Sequence, residues 1–127
     1  MDREEINVDG IALPTTHYAE AVRFGDLLFV SGCAPIDAEG NLVGANDVVS
    51  QTRQVLNNMK MVLEGAGANF ANVVSVTIYL TDVAERPKID PVRAEFFGET
   101  KPASTLVEVS ALAIPDMKVE IEAIAGL

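Results

Sequence analysis

The chain has 127 residues, 49% of them apolar and 22% charged, which suits one compact domain with a core of its own. Nineteen acids against nine bases give a net charge of −10, and the bases are scattered from Arg3 to Lys118, which excludes nucleic acid from the expected partners. One cysteine rules out an intrachain disulfide, and one histidine would leave a zinc or iron site resting on carboxylates almost alone, so no metal is expected.

No apolar run reaches the roughly 18 residues of a membrane span. The start, Met1-Asp2-Arg3-Glu4-Glu5, is acidic and unlike a signal peptide. A cytoplasmic protein with no membrane partner is expected, as a single domain over 1–127. Residues 1–17 read as a loop-like lead-in broken by Gly10 and Pro14. Ala19–Phe24 and Leu27–Ser31 read as strands around Gly25-Asp26, a two-residue hairpin turn, with Pro35 closing the second run. Residues 36–45 are polar and loop-like. Asn46 and Asp47 are N-cap candidates, after which Val48, Val49, Val55, Leu56, Met59, Val62 and Leu63 recur at helical spacing. Gly65 and Gly67 close that helix. Ala71–Thr81 alternates apolar with polar residues and predicts a strand. Asp90-Pro91 predicts the start of a short second helix that runs to Phe97 and stops at Gly98.

Two further strand-like runs, Lys101–Val109 and Val119–Ala125, flank a short turn. In a strand, side chains two apart share a face, so Glu120 and Glu122 point the same way. Carboxylates among Val, Ile and Ala are costly unless paired, solvated or used for chemistry. The order β-β-α-β-α-β-β predicts an α+β fold with both helices on one face of the sheet. Val107, Val109, Val119 and Ile121 leave both strand faces partly apolar, and self-association is the simplest cover for the second face.

Tyr18, Leu28-Phe29-Val30-Ser31-Gly32, the Gln51–Gly67 helix, Val76–Thr81, Phe96-Phe97, Pro102-Ala103, Val107-Glu108-Val109 and Val119-Glu120-Ile121-Glu122-Ala123-Ile124-Ala125 stand in an order and spacing that resembles the Rid (reactive intermediate deaminase) family, also known as L-PSP endoribonuclease-like proteins. The likeness spans about residues 14–125. It implies a chorismate-mutase-like fold, a mixed sheet with two helices on one face, and a homotrimer with a central barrel-like core. It further implies three clefts at the subunit interfaces, and hydrolysis of small enamines or imines to a keto acid and ammonia without a cofactor.

The same resemblance makes Glu120 the catalytic residue, holding or activating the attacking water. Tyr18 and Ser31 would line the cleft, and backbone near Leu106 would help hold the substrate. It also implies an arginine after Pro-Ala that clamps a substrate carboxylate, and here the sequence departs: that position is Ser104. A hydroxyl donates one neutral hydrogen bond and cannot neutralise a carboxylate, yet Ser104 is still a candidate to hydrogen-bond a substrate carbonyl or carboxylate, and Asp90 is counted with it among the substrate-binding candidates. Leu106 stands where a small residue or cysteine is usual, and Asp90 where asparagine is frequent. The chain thus resembles an Arg-lacking subgroup. Arg93, one turn after Asp90, is a candidate to replace the missing cation, with Arg23 and Arg86 behind it.

Other residues have plainer expectations. Glu122 is expected to pair with a Lys or Arg on an adjacent strand. Cys33 is expected to be a small packed residue and His17 an ordinary loop histidine. Besides the Rid-type deaminase, two readings stay open. One is a 2-aminomuconate-type deaminase of aromatic catabolism, whose dicarboxylate substrate still needs a cation. The other is a non-catalytic trimer that binds a metabolite or a protein partner in the same clefts.

Overall fold

The computed structural model describes residues 2–14 and 16–127. Met1 and Thr15, both within the expected lead-in, lie outside the described residues. Strands β1 (Arg3–Ile6), β2 (Ala21–Phe24), β3 (Leu27–Cys33), β4 (Val73–Leu80), β5 (Ala103–Glu108) and β6 (Val119–Gly126) form one sheet in the order β1-β2-β3-β6-β4-β5. Every neighbouring pair is antiparallel except β4 and β5, which are parallel, so the sheet is mixed. Although the segment joining β5 to β6 is short, the two do not pair: β4 lies between them.

Helix α1 (Val48–Gly65) begins where the sequence says it should. The Asp47 carboxylate accepts from the backbone N–H of Val49 and Ser50 and from the Ser50 hydroxyl. The chain leaves the helix through Ala66 and Gly67, the latter at φ 78°. The apolar stripe Val55, Leu56, Met59, Val62 and Leu63 is fully buried against one sheet face, where Val76, Ile78, Leu80, Val119 and Ile121 meet it. Helix α2 (Arg86–Phe97) adds Ile89, Val92 and Phe97 to the same core. Each such side chain stabilises the fold by roughly 1.5–3 kcal/mol through burial. Among the described residues, the opposite sheet face carries no helix. Phe24 (45% exposed), Leu27 (43%), Phe29 (43%) and Val107 (39%) stand open on it.

Three expectations need correction. Within the lead-in, Arg3–Ile6 is a strand paired with β2, not a loop. Its sequence is polar and its residues mostly exposed, as befits an edge strand, so no alternation marked it. Helix α2 begins at Arg86, not at Asp90, and Pro91 lies inside it. The start signal is Asp82, which caps a 3-10 turn over Val83–Glu85 that leads straight into the helix, with Pro87 in its first turn. Burial of Ile89 and Val92 outweighs the hydrogen bond that Pro91 cannot donate. Finally, β3 runs on past Ser31 to Cys33. No helix among the described residues is long and apolar enough to cross a membrane.

Candidate active site

The site is built around an irregularity in β3. Val30 pairs with Ala123 and Cys33 with Ile121, so two residues, Ser31 and Gly32, oppose the single residue Glu122. This β-bulge turns Ser31 and Gly32 toward the open face. The Ser31 hydroxyl donates to the Ala19 carbonyl at 2.6 Å, and the Ser31 N–H donates to the Glu20 carbonyl at 2.9 Å. These bonds anchor the segment that carries Tyr18. The Glu120 carboxylate comes back over Gly32 and fills the space a Cβ would occupy there. A glycine is required by this close approach, not by its backbone angles.

Tyr18, Ser31, Gly32 and Glu120 line a cavity of about 380 Å³ on the open face. Its walls are Leu13, Ala34, Ile36 and three residues of the β5–β6 connection, Ala113, Ile114 and Met117. Both walls are held from beneath by buried amides of α1. Gln51 (0% exposed) donates to the carbonyls of Gly44 and Asp116 at 3.2 and 2.9 Å, and accepts from the Lys118 N–H at 2.7 Å. Asn58 (6% exposed) donates to the carbonyls of Ala34 and Ile36 at 3.0 and 2.9 Å. The two lie seven residues apart on one helix face, two polar positions within an apolar stripe.

Glu120 is partly buried, and this burial raises its pKa above the ordinary glutamate value, with the charge of Glu122 adding to the rise. Glu122 shares its strand face, as the alternation requires. Its partner is not the expected Lys or Arg. The Tyr79 hydroxyl donates to it at 2.7 Å, because β4 places a tyrosine rather than a base across the strand pair. That bond and burial raise the Tyr79 pKa. The Tyr18 pKa is also raised, first by burial and then by Glu20 and Glu120, so its hydroxyl keeps its proton at neutral pH and can donate. Glu20, which the sequence did not single out, has its own pKa raised by burial.

Ser104, Leu106, Asp90 and Arg93 lie elsewhere. Ser104 and Leu106 pair in register with Val76 and Ile78, whose side chains are in the core, whereas Glu120 pairs with Tyr79 on the open face. Within one chain, therefore, Ser104 and Glu120 are on opposite sides of the sheet. Leu106 packs against the core and offers a ligand only its backbone, on the edge strand β5. Arg93 and Ser104 do meet: the Arg93 Nη2 donates to Ser104 Oγ at 3.1 Å, and Nη1 is 4.0 Å from Asp90 Oδ1. Of the other arginines, Arg23 Nε donates to the Gly25 carbonyl and Arg86 is exposed at the start of α2. Cys33 is buried, and burial pushes its thiol up to about 12, which leaves it a packed residue rather than a nucleophile. His17 is exposed in a loop. Among the described residues no cluster of three or more His, Cys, Asp or Glu side chains is placed to hold a metal.

A six-stranded mixed sheet with two helices on one face and a carboxylate-bearing cleft on the other defines a small α+β protein. The family described as Endoribonuclease L-PSP matches residues 10–127. A RutC family protein of Pyrococcus horikoshii is 43% identical over 97% of both chains. The 3-aminoacrylate deaminase RutC of Acinetobacter baylyi is 36% identical over 98% of both. The crystal structure of YyfA from Yersinia pestis, described as a conserved Rid family protein of unknown function, matches with a TM-score of 0.94 at 36% identity, covering 99% of this chain and all of that one. The chain belongs to the L-PSP family, which is the Rid/RutC family of these relatives.

Proposed function

We propose that the chain is a cofactor-free deaminase of the Rid type, hydrolysing a small enamine or imine. The observation that carries this reading is Glu120: a carboxylate with raised proton affinity, facing a cavity of about 380 Å³ beside a protonated tyrosine. A general base works best with a pKa near the operating pH, and burial moves Glu120 in that direction. Water held against the carboxylate gives up a proton to it as the oxygen adds to the imine carbon, while the imine nitrogen takes up a proton. The Tyr18 hydroxyl is placed to orient the substrate. The carbinolamine then collapses: the C–N bond breaks, ammonia leaves and a carbonyl forms. An enamine enters the same path after protonation at carbon. The name of the Acinetobacter relative, a 3-aminoacrylate deaminase, supports this chemistry. The charge of −10 weighs against the ribonuclease activity in the family's description.

We infer further that the working form is a homotrimer with the cavity at a subunit boundary. Phe24, Leu27 and Phe29 leave the open face apolar next to strands that carry the site, and a second and third copy would cover them. The test is ammonia release from freshly generated small enamines and imines, with Glu120→Ala beside wild type and sedimentation of both. Turnover in wild type alone, at equal oligomeric state, supports the reading; equal turnover in the variant overturns the role of Glu120.

A further inference from the structure

We propose that the Glu120 cavity takes its substrate as a small iminium cation with an apolar substituent and no acid group, and that Glu20 supplies a second negative charge that selects it. The inference names the substrate class of the deaminase reading above and rests on it for the chemical step.

The cavity is rich in acceptors and poor in donors. Glu120, when ionised, offers acceptor sites only. The Ser31 hydroxyl has spent its one proton on the Ala19 carbonyl and keeps its lone pairs. Of the other lining side chains, only the Thr16 and Tyr18 hydroxyls have a proton to give. No Lys, Arg or His among the described residues lines the cavity. A substrate carboxylate, itself acceptor-only, would meet a like charge and few donors there. An iminium nitrogen brings a positive charge and up to two N–H donors. One suits a Glu120 oxygen and the other suits Ser31 Oγ, and the second Glu120 oxygen stays free to hold water. The apolar wall of Leu13, Ala34, Ile36, Ala113, Ile114 and Met117 favours carbon on the substrate and disfavours a second charge.

Glu20 stands behind this cavity. With Tyr18, Gly32 and Asn58 it lines a hollow of about 40 Å³, and Tyr18, Gly32, Ala34 and Ile36 border both spaces. Its backbone is pinned on both sides: the N–H donates to Asn7 Oδ1 at 3.1 Å and the carbonyl accepts from the Ser31 N–H. Among the described residues no salt bridge neutralises its carboxylate. Its charge is felt at the site, where it raises the Tyr18 pKa after burial and ahead of Glu120. Burial raises the proton affinity of Glu20 and Glu120 alike, and a cation between them offsets that cost. A neighbouring copy that closes the cavity brings the same excess of acids, nineteen against nine bases. Five of those bases, Arg3, Arg53, Lys88, Arg93 and Lys118, already stand within 4.0 Å of an acid of their own chain.

The hydrolysis balances without another reactant. Water adds its oxygen to the iminium carbon and gives a proton to Glu120, while the C=N electron pair moves onto nitrogen. Glu120 returns that proton to the nitrogen of the carbinolamine. The C–N bond breaks with its pair on nitrogen, ammonia leaves, and the hydroxyl proton of the new carbonyl passes to solvent. The class of reaction that supplies such a substrate is the oxidation of a small aliphatic amine to its imine.

The experiment compares two imines with one carbon skeleton. Oxidation of isobutylamine by an amine oxidase gives the aldimine, and oxidation of valine by an amino-acid oxidase gives the imino acid. KM and kcat for each are measured in wild type and Glu20→Gln. In wild type KM should be at least about tenfold lower for the aldimine, because the imino acid sets a third carboxylate beside two others. Glu20→Gln should shrink that gap by about threefold or more with kcat little changed, and the intrinsic reactivities of the two imines cancel in the change. A wild-type gap under about tenfold, or one that Glu20→Gln leaves unmoved, overturns the proposal. Wild type inactive on both imines would count against the deaminase reading alone. The selection is then decided by NMR titration of isobutylammonium chloride and of sodium isobutyrate into the same two proteins. Ammonium binding at least about tenfold tighter than carboxylate binding, with a smaller gap in Glu20→Gln, upholds it; any other result overturns it. Thermal melts and sedimentation check that the variant keeps its fold and assembly.

Discussion

The Glu120 carboxylate rests directly on the Cα of Gly32, where an ideal Cβ would lie 2.9 Å from Glu120 Cδ and closer still to Oε1. The obstacle to a side chain at Gly32 is thus the far end of a flexible residue, not backbone. Gly32→Ala should fold with a melting temperature within a few degrees of wild type and push the carboxylate away from its seat. If Glu120 is the base, kcat/KM should drop by about 100-fold, the low end of what a positioned base contributes. Thermal melts and ammonia-release kinetics on the same preparation check this. A variant that keeps full activity would show that the carboxylate need not sit where it does.

Activity and stability should oppose one another at Glu120. Its folded-state pKa lies above the ordinary glutamate value because of burial and the charge of Glu122. For a group raised on folding, the favourable contribution is complete below the unfolded pKa of about 4.3 and is lost as pH rises through the folded value. At neutral pH the fold therefore carries an ionised carboxylate it would rather protonate. Glu120→Gln removes that burden, so the variant should melt higher than wild type at pH 7.5 while losing turnover. The gap in melting temperature should shrink as pH falls toward 4. Calorimetry at the two pH values checks it; a variant less stable than wild type at pH 7.5 would sink the argument.

Glu122 supplies the second and smaller part of the same shift. Glu122→Gln removes the charge but keeps an oxygen that can accept from the Tyr79 hydroxyl. The acidic limb of the pH–kcat/KM profile should then move to lower pH, toward but not reaching the position of an unperturbed glutamate, because burial remains. An acidic limb that does not move would remove Glu122 from the tuning of Glu120.

The sequence was informative where local chemistry and packing agree. The Gly25-Asp26 turn, the Asp47 cap, the apolar stripe of α1 and the alternation of β4 and β6 all satisfy local and tertiary demands together. Residue pattern alone placed Glu120 and Glu122 on one face, while the resemblance supplied the role of Glu120. What the pattern hid was decided by tertiary partners. The start of α2 depends on burying Ile89 and Val92, which outweighs the signal of Asp90-Pro91. Strand β1 has no apolar period because it is an edge. The bulge at Ser31-Gly32 exists only relative to β6, although a glycine within a strand-like run was a usable hint. In sequence Tyr79 is one polar position in the alternation of β4, and its bond to Glu122 needs the β4–β6 register to be known. Arg93 could be suspected from its spacing to Asp90, but only the fold of α2 over β5 brings it to Ser104.

The buried amides of α1 carry the last prediction. Gln51 ties the cavity's Ala113–Met117 wall to the helix through Asp116 and Lys118. Gln51→Leu keeps a side chain of similar size but leaves the Lys118 N–H and the Gly44 and Asp116 carbonyls without the Gln51 partner. Each such orphan costs on the order of 1–3 kcal/mol, so a loss of about 3 kcal/mol in unfolding free energy is expected. The wall should loosen as well, raising KM. Thr52→Val is the control. Thr52 is equally buried on the next position of α1, but its hydroxyl donates only to the Val48 carbonyl within the helix and touches neither wall. It should cost far less and leave KM unchanged. Denaturant unfolding and steady-state kinetics on the two variants separate the outcomes. A Gln51→Leu variant that loses stability with an unaltered KM would mean the amide supports the fold without shaping the cavity.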